Sequence, residues 1–223
     1  MPAPTDSRAA RSELEALVER AAAGPVARLA RLNRDYARSA ARSGRQASVL
    51  MLFGEVEGEV SVLLTQRAAT LRTHAGQVAF PGGSQDPADS GAVAAAVREA
   101  EEETGLLEED YTVLGALDPV PVPISGFLVT PVLAWWDAPR LLAPVDPGET
   151  ARVFTVPVRD LADASLRVTT ELRRDSHVFR GPGFEVAETL VWGFTGYLVE
   201  ALLEELGWSE PVAGSRTVDP RGY

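Results

Sequence analysis

Ten residues, VREAEEETGL from Val97 to Leu106, place four glutamates beside one arginine in a chain whose formal net charge is already −11. On a helix each residue advances by about 100°, so Glu102 and Glu103, three and four positions after Glu99, share its side. Like charges at these spacings cost a few tenths of a kcal/mol each, roughly, and they would sit near the negative end of the helix dipole. A hard divalent ion such as Mg²⁺ or Mn²⁺, which takes oxygen ligands, reverses the sign of that cost. Spacing alone leaves two readings open, a solvated helix face and a cation site. Glu101 points away from the shared face, and Val93, Val97 and Ala100 fall where they can pack inward.

Composition narrows the chemistry. The chain has no cysteine, which excludes disulfides, thiolate nucleophiles and thiolate-bound zinc. Any metal must therefore sit on oxygen or imidazole, and His74 and His177, far apart in sequence, make a histidine-rich site improbable. All 21 basic residues are arginine, which removes Schiff-base lysines and leaves the planar guanidinium for phosphate contacts. The acidic balance argues against nucleic-acid and anionic-membrane partners. With no apolar run long enough to span a bilayer, no secretory signal pattern and no peroxisomal address at the C-terminus, a cytoplasmic protein is expected, as a monomer or homodimer acting on a small molecule.

The glutamate run needs elements to hold it. AVAAAVREAEEETG reads as a helix closed by Gly105, reached through the turn-rich GGSQDPADSG. Upstream, ASVLMLFGEV and EVSVLLTQR read as a strand pair around an acidic, glycine-containing turn, and QVAFPGG as a short strand. YTVLGALDPVPVP, GFLVTPVLAWW and RVFTVPVRDL read as further strands, and TLVWGFTGYLVEALLEEL, Thr189 to Leu206, as one long half-buried helix. Ahead of them residues 1–45 read as a helical, arginine-rich extension broken near AAAGPV, with arginines at 28, 31, 34, 38, 42 and 45 forming a stripe. Residues 46–207 form the principal domain, and residues 208–223 read as a weakly structured tail. The whole is an α/β or α+β arrangement.

Read together, LLTQRAATLRTHAGQVAFPGG (Leu63 to Gly83) and the glutamate helix resemble the Nudix hydrolases. Arg98, Glu99, Ala100, Glu102, Glu103, Gly105 and Leu106 match the second half of that family's signature, Arg-Glu-(apolar)-x-Glu-Glu-x-Gly-(apolar). The first half departs from it. The family's early glutamate, with seven residues between it and the arginine, would fall at Ser90; the nearest acid is Asp89, and the loop counted from Gly83 is one residue longer. The upstream segment is similar to the motif of the coenzyme A pyrophosphatase branch through Leu63, Leu64, Thr65, Arg67, Ala68, Arg72, Gly76, Phe80, Pro81, Gly82 and Gly83. ARVFTVPV and TLVWGFTGYLVEAL extend the likeness from about Ala47 to Leu206.

This resemblance implies a Nudix fold, a mixed β-sheet sandwiched between α-helices, and Mg²⁺- or Mn²⁺-dependent hydrolysis of the diphosphate bond of coenzyme A or its thioester or oxidised derivatives. It implies Glu99 and Glu103 as chief metal ligands, with Glu102 as a further ligand or a positioner of metal-bound water. Arg98 would orient these carboxylates, and a loop carbonyl near Gly82 would complete the coordination. Arg67 and Arg72, with His74, are the candidates for the substrate's 3′-phosphate; Gly76, Phe80, Gly82 and Gly83 complete the substrate-binding motif. Arg67 could instead tie its strand to the acidic helix. Glu149 is the candidate general base. Other nucleoside diphosphate derivatives such as ADP-ribose or a dinucleotide, and a non-hydrolytic nucleotide sensor on the same scaffold, are the alternatives.

Overall fold

The computed structural model describes residues 3–30, 44–71, 73–122, 126–174, 177–209 and 215–223. Arg31, Arg34, Arg38 and Arg42 of the arginine stripe, and Arg72, lie outside the described residues.

The molecule is organised around β1 (Gln46–Val56). It turns back through Glu57 and Gly58 into β2 (Glu59–Arg67), pairing Val56 with Glu59 and Phe53 with Val62. On its other edge β1 runs parallel to β7 (Phe127–Trp136), in register from Gln46 and Leu128 to Gly54 and Trp136. Parallel central strands are covered on both faces, so they read as unbroken apolar runs. Alternation of side chains divides β1 between two cores. Leu50 and Leu52 join Ala96, Ala100 and Leu106 on one face. Met51 and Phe53 join Leu14, Leu17, Leu198 and Leu202 on the other.

Beyond Phe53 and Val62 the partners of the first two strands change. The start of β1 pairs with β4 (Gly82–Ser84), through Ala47 with Ser84 and Val49 with Gly82. The end of β2 pairs with β3 (Val78–Ala79) instead, and Leu50 N–H donates to the Pro81 carbonyl at 2.8 Å. Residues 78–84 thus form a wedge inside the sheet, which lodges the two glycines among paired strands. The sheet is completed by β5 (Tyr111–Ala116) and β6 (Val120–Val122) on β7, and by β8 (Thr150–Pro157) on β2. Among the described residues this makes eight strands.

One face carries α2 (Ala92–Thr104), which packs on β1 and β4. It ends as expected at Gly105, whose φ of 69° is the left-handed conformation that lets its N–H bond the Glu101 carbonyl. Ala95, Ala96 and Ala100 form its buried stripe; Val93, expected to face inward, is 37% exposed. The other face carries α1 (Ser7–Ala23), started by the Asp6 carboxylate accepting from Arg8 N–H, and α4 (Gly193–Leu206). A short helix, α3 (Val158–Ala162), follows β8.

A second sheet, not foreseen from the sequence, is built from β9 (Arg167–Arg174), β10 (His177–Val186), β11 (Thr189–Val191) and β12 (Thr217–Val218), in the order β11, β10, β9, β12. Its long pair is β9 with β10. Two sequence expectations are corrected here. Thr189–Val191 is not the first turn of the last helix but β11, paired with β10 through Phe184 and Val191. The tail is not weakly structured in its described part: Trp208 is 1% exposed in the core, and β12 (Thr217–Val218) joins β9 in parallel.

Candidate functional site

The site forms where α2 crosses the wedge. The Glu99 carboxylate rests against Gly83 so closely that a Cβ built there would lie 2.4 Å from its Oε2. One residue back, Gly82 N–H donates to Glu103 Oε2 at 3.2 Å, and a Cβ on Gly82 would meet the Ser48 carbonyl at 2.3 Å. The two glycines are required by these approaches, since any side chain would occupy the space between loop and helix.

Arg98 holds the helix and the loop together. Its Nε and Nη2 donate to Asp89 Oδ1 and Oδ2 at 3.1 and 3.0 Å, a two-pronged contact. Nη1 reaches Glu99 Oε1 and Glu102 Oε2, both at 3.0 Å, and Nη2 also reaches the Ser84 carbonyl at 3.0 Å. The guanidinium holds the Asp89 carboxyl below the usual carboxylate range, assisted by the Asp86 N–H. In return Asp89, then Glu99, raise the proton affinity of Arg98. The Asp89 side chain, only 7% exposed, is the acid that holds Arg98, in place of the glutamate expected at position 90. The extra loop residue moves the acid one place, and the turn closed by Asp89 N–H on the Asp86 carbonyl brings it back to the arginine. The signal available was Asp89 itself, an acid adjacent to the family position.

The three glutamates are not equivalent. Burial pushes Glu103 up to about 7, with Glu99 and Glu149 adding to the rise while Gly82 N–H and Arg67 oppose it. Burial also raises Glu99, against the pull of Arg98. Glu102, with 59% of its side chain exposed, turns outward onto Arg98. Among the described residues no three acidic or imidazole side chains converge as a closed metal cage would. Glu99 and Glu103 are instead two half-desolvated carboxylates whose negative charge the protein under-compensates, the donor set suited to an ion that keeps waters and substrate oxygens as its other ligands.

Other candidates divide between this site and the scaffold. Arg67 lies close enough to Glu103 to lower its proton affinity, and its buried Nε has no hydrogen-bond partner among the described residues. Ala68 N–H donates to the Glu149 carbonyl at 2.8 Å, which pins Glu149, an exposed residue, next to the end of β2. His74 lies in an exposed turn with a φ of 57°, its Nδ1 2.8 Å from Gln77 Oε1. Gly76 shapes that same turn, its carbonyl accepting from Gln66 Nε2. Phe80 is 3% exposed in the core with Val78, so it anchors the wedge from beneath and offers no surface to a ligand. Of the arginine stripe, Arg28 pairs with Glu204 at 3.1 Å and Arg45 stacks 4.3 Å from the Phe127 ring.

Comparison with known proteins agrees with this geometry. The NUDIX domain model matches residues 43–174. The chain is 38% identical over 146 residues to "Uncharacterized Nudix hydrolase NudL" of Photorhabdus laumondii, spanning 66% of this chain and 77% of that protein. It is 37% identical over 165 residues to the protein of the same name from Escherichia coli K12, spanning 73% and 83%. Among solved structures, a Nudix hydrolase from M. smegmatis, RenU, superposes with a TM-score of 0.51 at 25% identity, covering 76% of this chain and 89% of that one. Family members act on nucleoside diphosphate derivatives with divalent metal ions, and a helix of half-buried carboxylates closed over a glycine wedge suits that work. The chain belongs to the Nudix hydrolase family.

Proposed function

We propose that this protein hydrolyses the diphosphate bond of coenzyme A, or of a coenzyme A derivative, to 4′-phosphopantetheine and adenosine 3′,5′-bisphosphate. The observation that carries the substrate is Arg67. The residue belongs to the segment that resembles the coenzyme A pyrophosphatase motif, and it stands beside Glu103 with a buried Nε that has no hydrogen-bond partner among the described residues. A buried donor without an acceptor is costly, and a phosphate oxygen would satisfy it.

Glu99 and Glu103 would hold Mg²⁺ or Mn²⁺, with the Gly82 carbonyl and Glu102, the latter through water. The ion would neutralise the diphosphate and lower the pKa of bound water. The protein's own groups do the rest. Arg98, locked by Asp89, fixes the direction in which Glu99 faces the loop. Gly82 and Gly83 let the substrate's phosphates approach the backbone. Glu149 accepts the proton of the attacking water; water oxygen bonds to phosphorus, the bridging P–O bond breaks, and the departing phosphate takes up the proton. Arg67 and Arg72 bind phosphate oxygens.

The test is a substrate panel of coenzyme A, dephospho-coenzyme A and ADP-ribose with Mg²⁺ or Mn²⁺, products identified by mass spectrometry. Release of 4′-phosphopantetheine with coenzyme A preferred is expected; equal rates on all three would remove the role of the 3′-phosphate.

A further inference from the structure

Resting on the reading of Glu149 as the base, we propose that Arg140 is a positioning residue for the reaction: it fixes the strap of residues 137–149 against the end of α2, and so places Glu149 relative to Glu99 and Glu103. The strap leaves β7 after Trp136 and enters β8 at Thr150, which is paired with Arg67. Apolar burial does little to place it. Of residues 137–149 only Leu142 is buried, and Leu141 and Val145 are 97% and 59% exposed. Hydrogen bonds therefore set its course.

The strap meets carbonyls at the end of α2, where the helix itself supplies no donors. Arg140 Nη2 donates to the Gly105 carbonyl at 2.7 Å, and Val145 N–H to the Glu103 carbonyl at 3.2 Å. Arg140 is held in turn by Asp110. Its Nε donates to Asp110 Oδ2 at 2.9 Å, an atom that also accepts from Leu107 N–H at 3.1 Å. The Asp110 carbonyl accepts from Asp137 and Ala138 N–H at 2.9 and 3.0 Å, which ties the start of the strap to the same residue. With its side chain only 12% exposed, the Asp110 carboxylate depends on the guanidinium for its compensation. At the other end a turn closes directly after Val145: the Asp146 carbonyl accepts from Glu149 and Thr150 N–H, and Asp146 Oδ1 from Gly148 N–H at 2.7 Å. The Glu149 carbonyl then takes Ala68 N–H. Glu149, near enough to Glu103 to raise its proton affinity, is thus fixed by β2 on one side and by the Arg140 and Val145 contacts with α2 on the other. Without the guanidinium the Val145 contact is left to hold the strap to the end of the helix, and the turn that carries Glu149 can pivot about it. A displacement of about 1 Å at a reacting group costs on the order of a hundredfold in rate.

The experiment is a double-mutant cycle on the full chain: wild type, Arg140→Ala, Glu149→Gln and both changes together. Each is assayed with Mn²⁺ on coenzyme A, or on dephospho-coenzyme A or ADP-ribose if the wild type hydrolyses one of those faster. Arg140→Ala is expected to lower kcat by about 10- to 100-fold and to leave KM and the Mn²⁺ requirement unchanged, since Arg67, Glu99 and Glu103 keep their places. Arg140→Lys, which retains the charge, should recover part of the loss. In the Glu149→Gln background the change at Arg140 should have no further effect on kcat. The same loss in both backgrounds would overturn the proposal, because Arg140 would then act through the fold or through the charge at the helix end. Wild-type kcat in Arg140→Ala would overturn it as well. Should melting curves show Arg140→Ala unfolded at the assay temperature, Arg140→Lys takes its place in the cycle with the same criteria. Wild-type kcat in Glu149→Gln would overturn the reading of Glu149 as the base, and this proposal with it.

Discussion

Glu103 titrates near 7 in the folded protein and near 4.5 when solvated, because burial opposes its charge. Between those values the folded state binds more protons than the unfolded one, so this residue's contribution to stability falls as pH rises through about 7. At pH 8 the penalty amounts to about 3 kcal/mol at most. Metal-free protein in EDTA should therefore melt at a lower temperature as pH rises from about 5 to about 8, and Glu103→Gln should flatten much of that decline relative to wild type. Melting curves across pH for both proteins check it; parallel profiles would contradict the burial of this carboxylate. The same variant should lose turnover by orders of magnitude. Added Mn²⁺ should raise the wild-type melting temperature more at high pH than at low, because ion and proton compete for one carboxylate. From the sequence, the helical spacing of Glu99, Glu102 and Glu103 was legible. Their unequal burial was not, since it depends on where a loop 21 residues upstream lies against them.

At the scale of elements, the wedge and α2 make two separable demands. A methyl at position 82 meets the backbone of Ser48 and Val49, whereas one at 83 meets the Glu99 side chain. Backbone in a paired strand yields less readily than a carboxylate. Gly82→Ala should therefore lower the melting temperature markedly, while Gly83→Ala should keep most stability and lose activity by displacing Glu99. Thermal melting and turnover, measured on both, distinguish these outcomes. Asp89→Asn removes the charge of Arg98's two-pronged partner; about a 10- to 100-fold rise in the Mn²⁺ concentration for half-maximal activity is expected, and an unchanged metal requirement would count against the role of Asp89. The helix was legible from its alanine stripe and Gly105. The second sheet was not: β9 and β10 carry charged cross-strand neighbours, with Glu171 bridging Arg173 and Arg180, in place of the apolar alternation that announces a strand. Thr189–Val191 was absorbed into the following helix because its three buried residues continue that helix's apolar run.

For the molecule as a whole, the helical segment ahead of the family match is part of the core. Leu14 and Leu17 of α1 are fully buried with Phe53, Leu202 and Trp208, so Leu17→Ala should cost about 2–5 kcal/mol, read as a lowered denaturation midpoint with activity per folded molecule retained. Helical periodicity made α1 legible; its partner at the far end of the chain was not, because a lone tryptophan after a helix carries no periodic signal. Trp208 packs edge-on against Phe53, and its Nε1 donates to Glu13 across 195 positions of sequence. During synthesis that separation becomes a delay. At about 5–20 residues per second, roughly 10–40 s pass between the emergence of Glu13 and that of Trp208, and for that interval the apolar face of α1 lacks part of its cover. Newly made chains should therefore depend on holding factors at their N-terminal end until the last helix is complete.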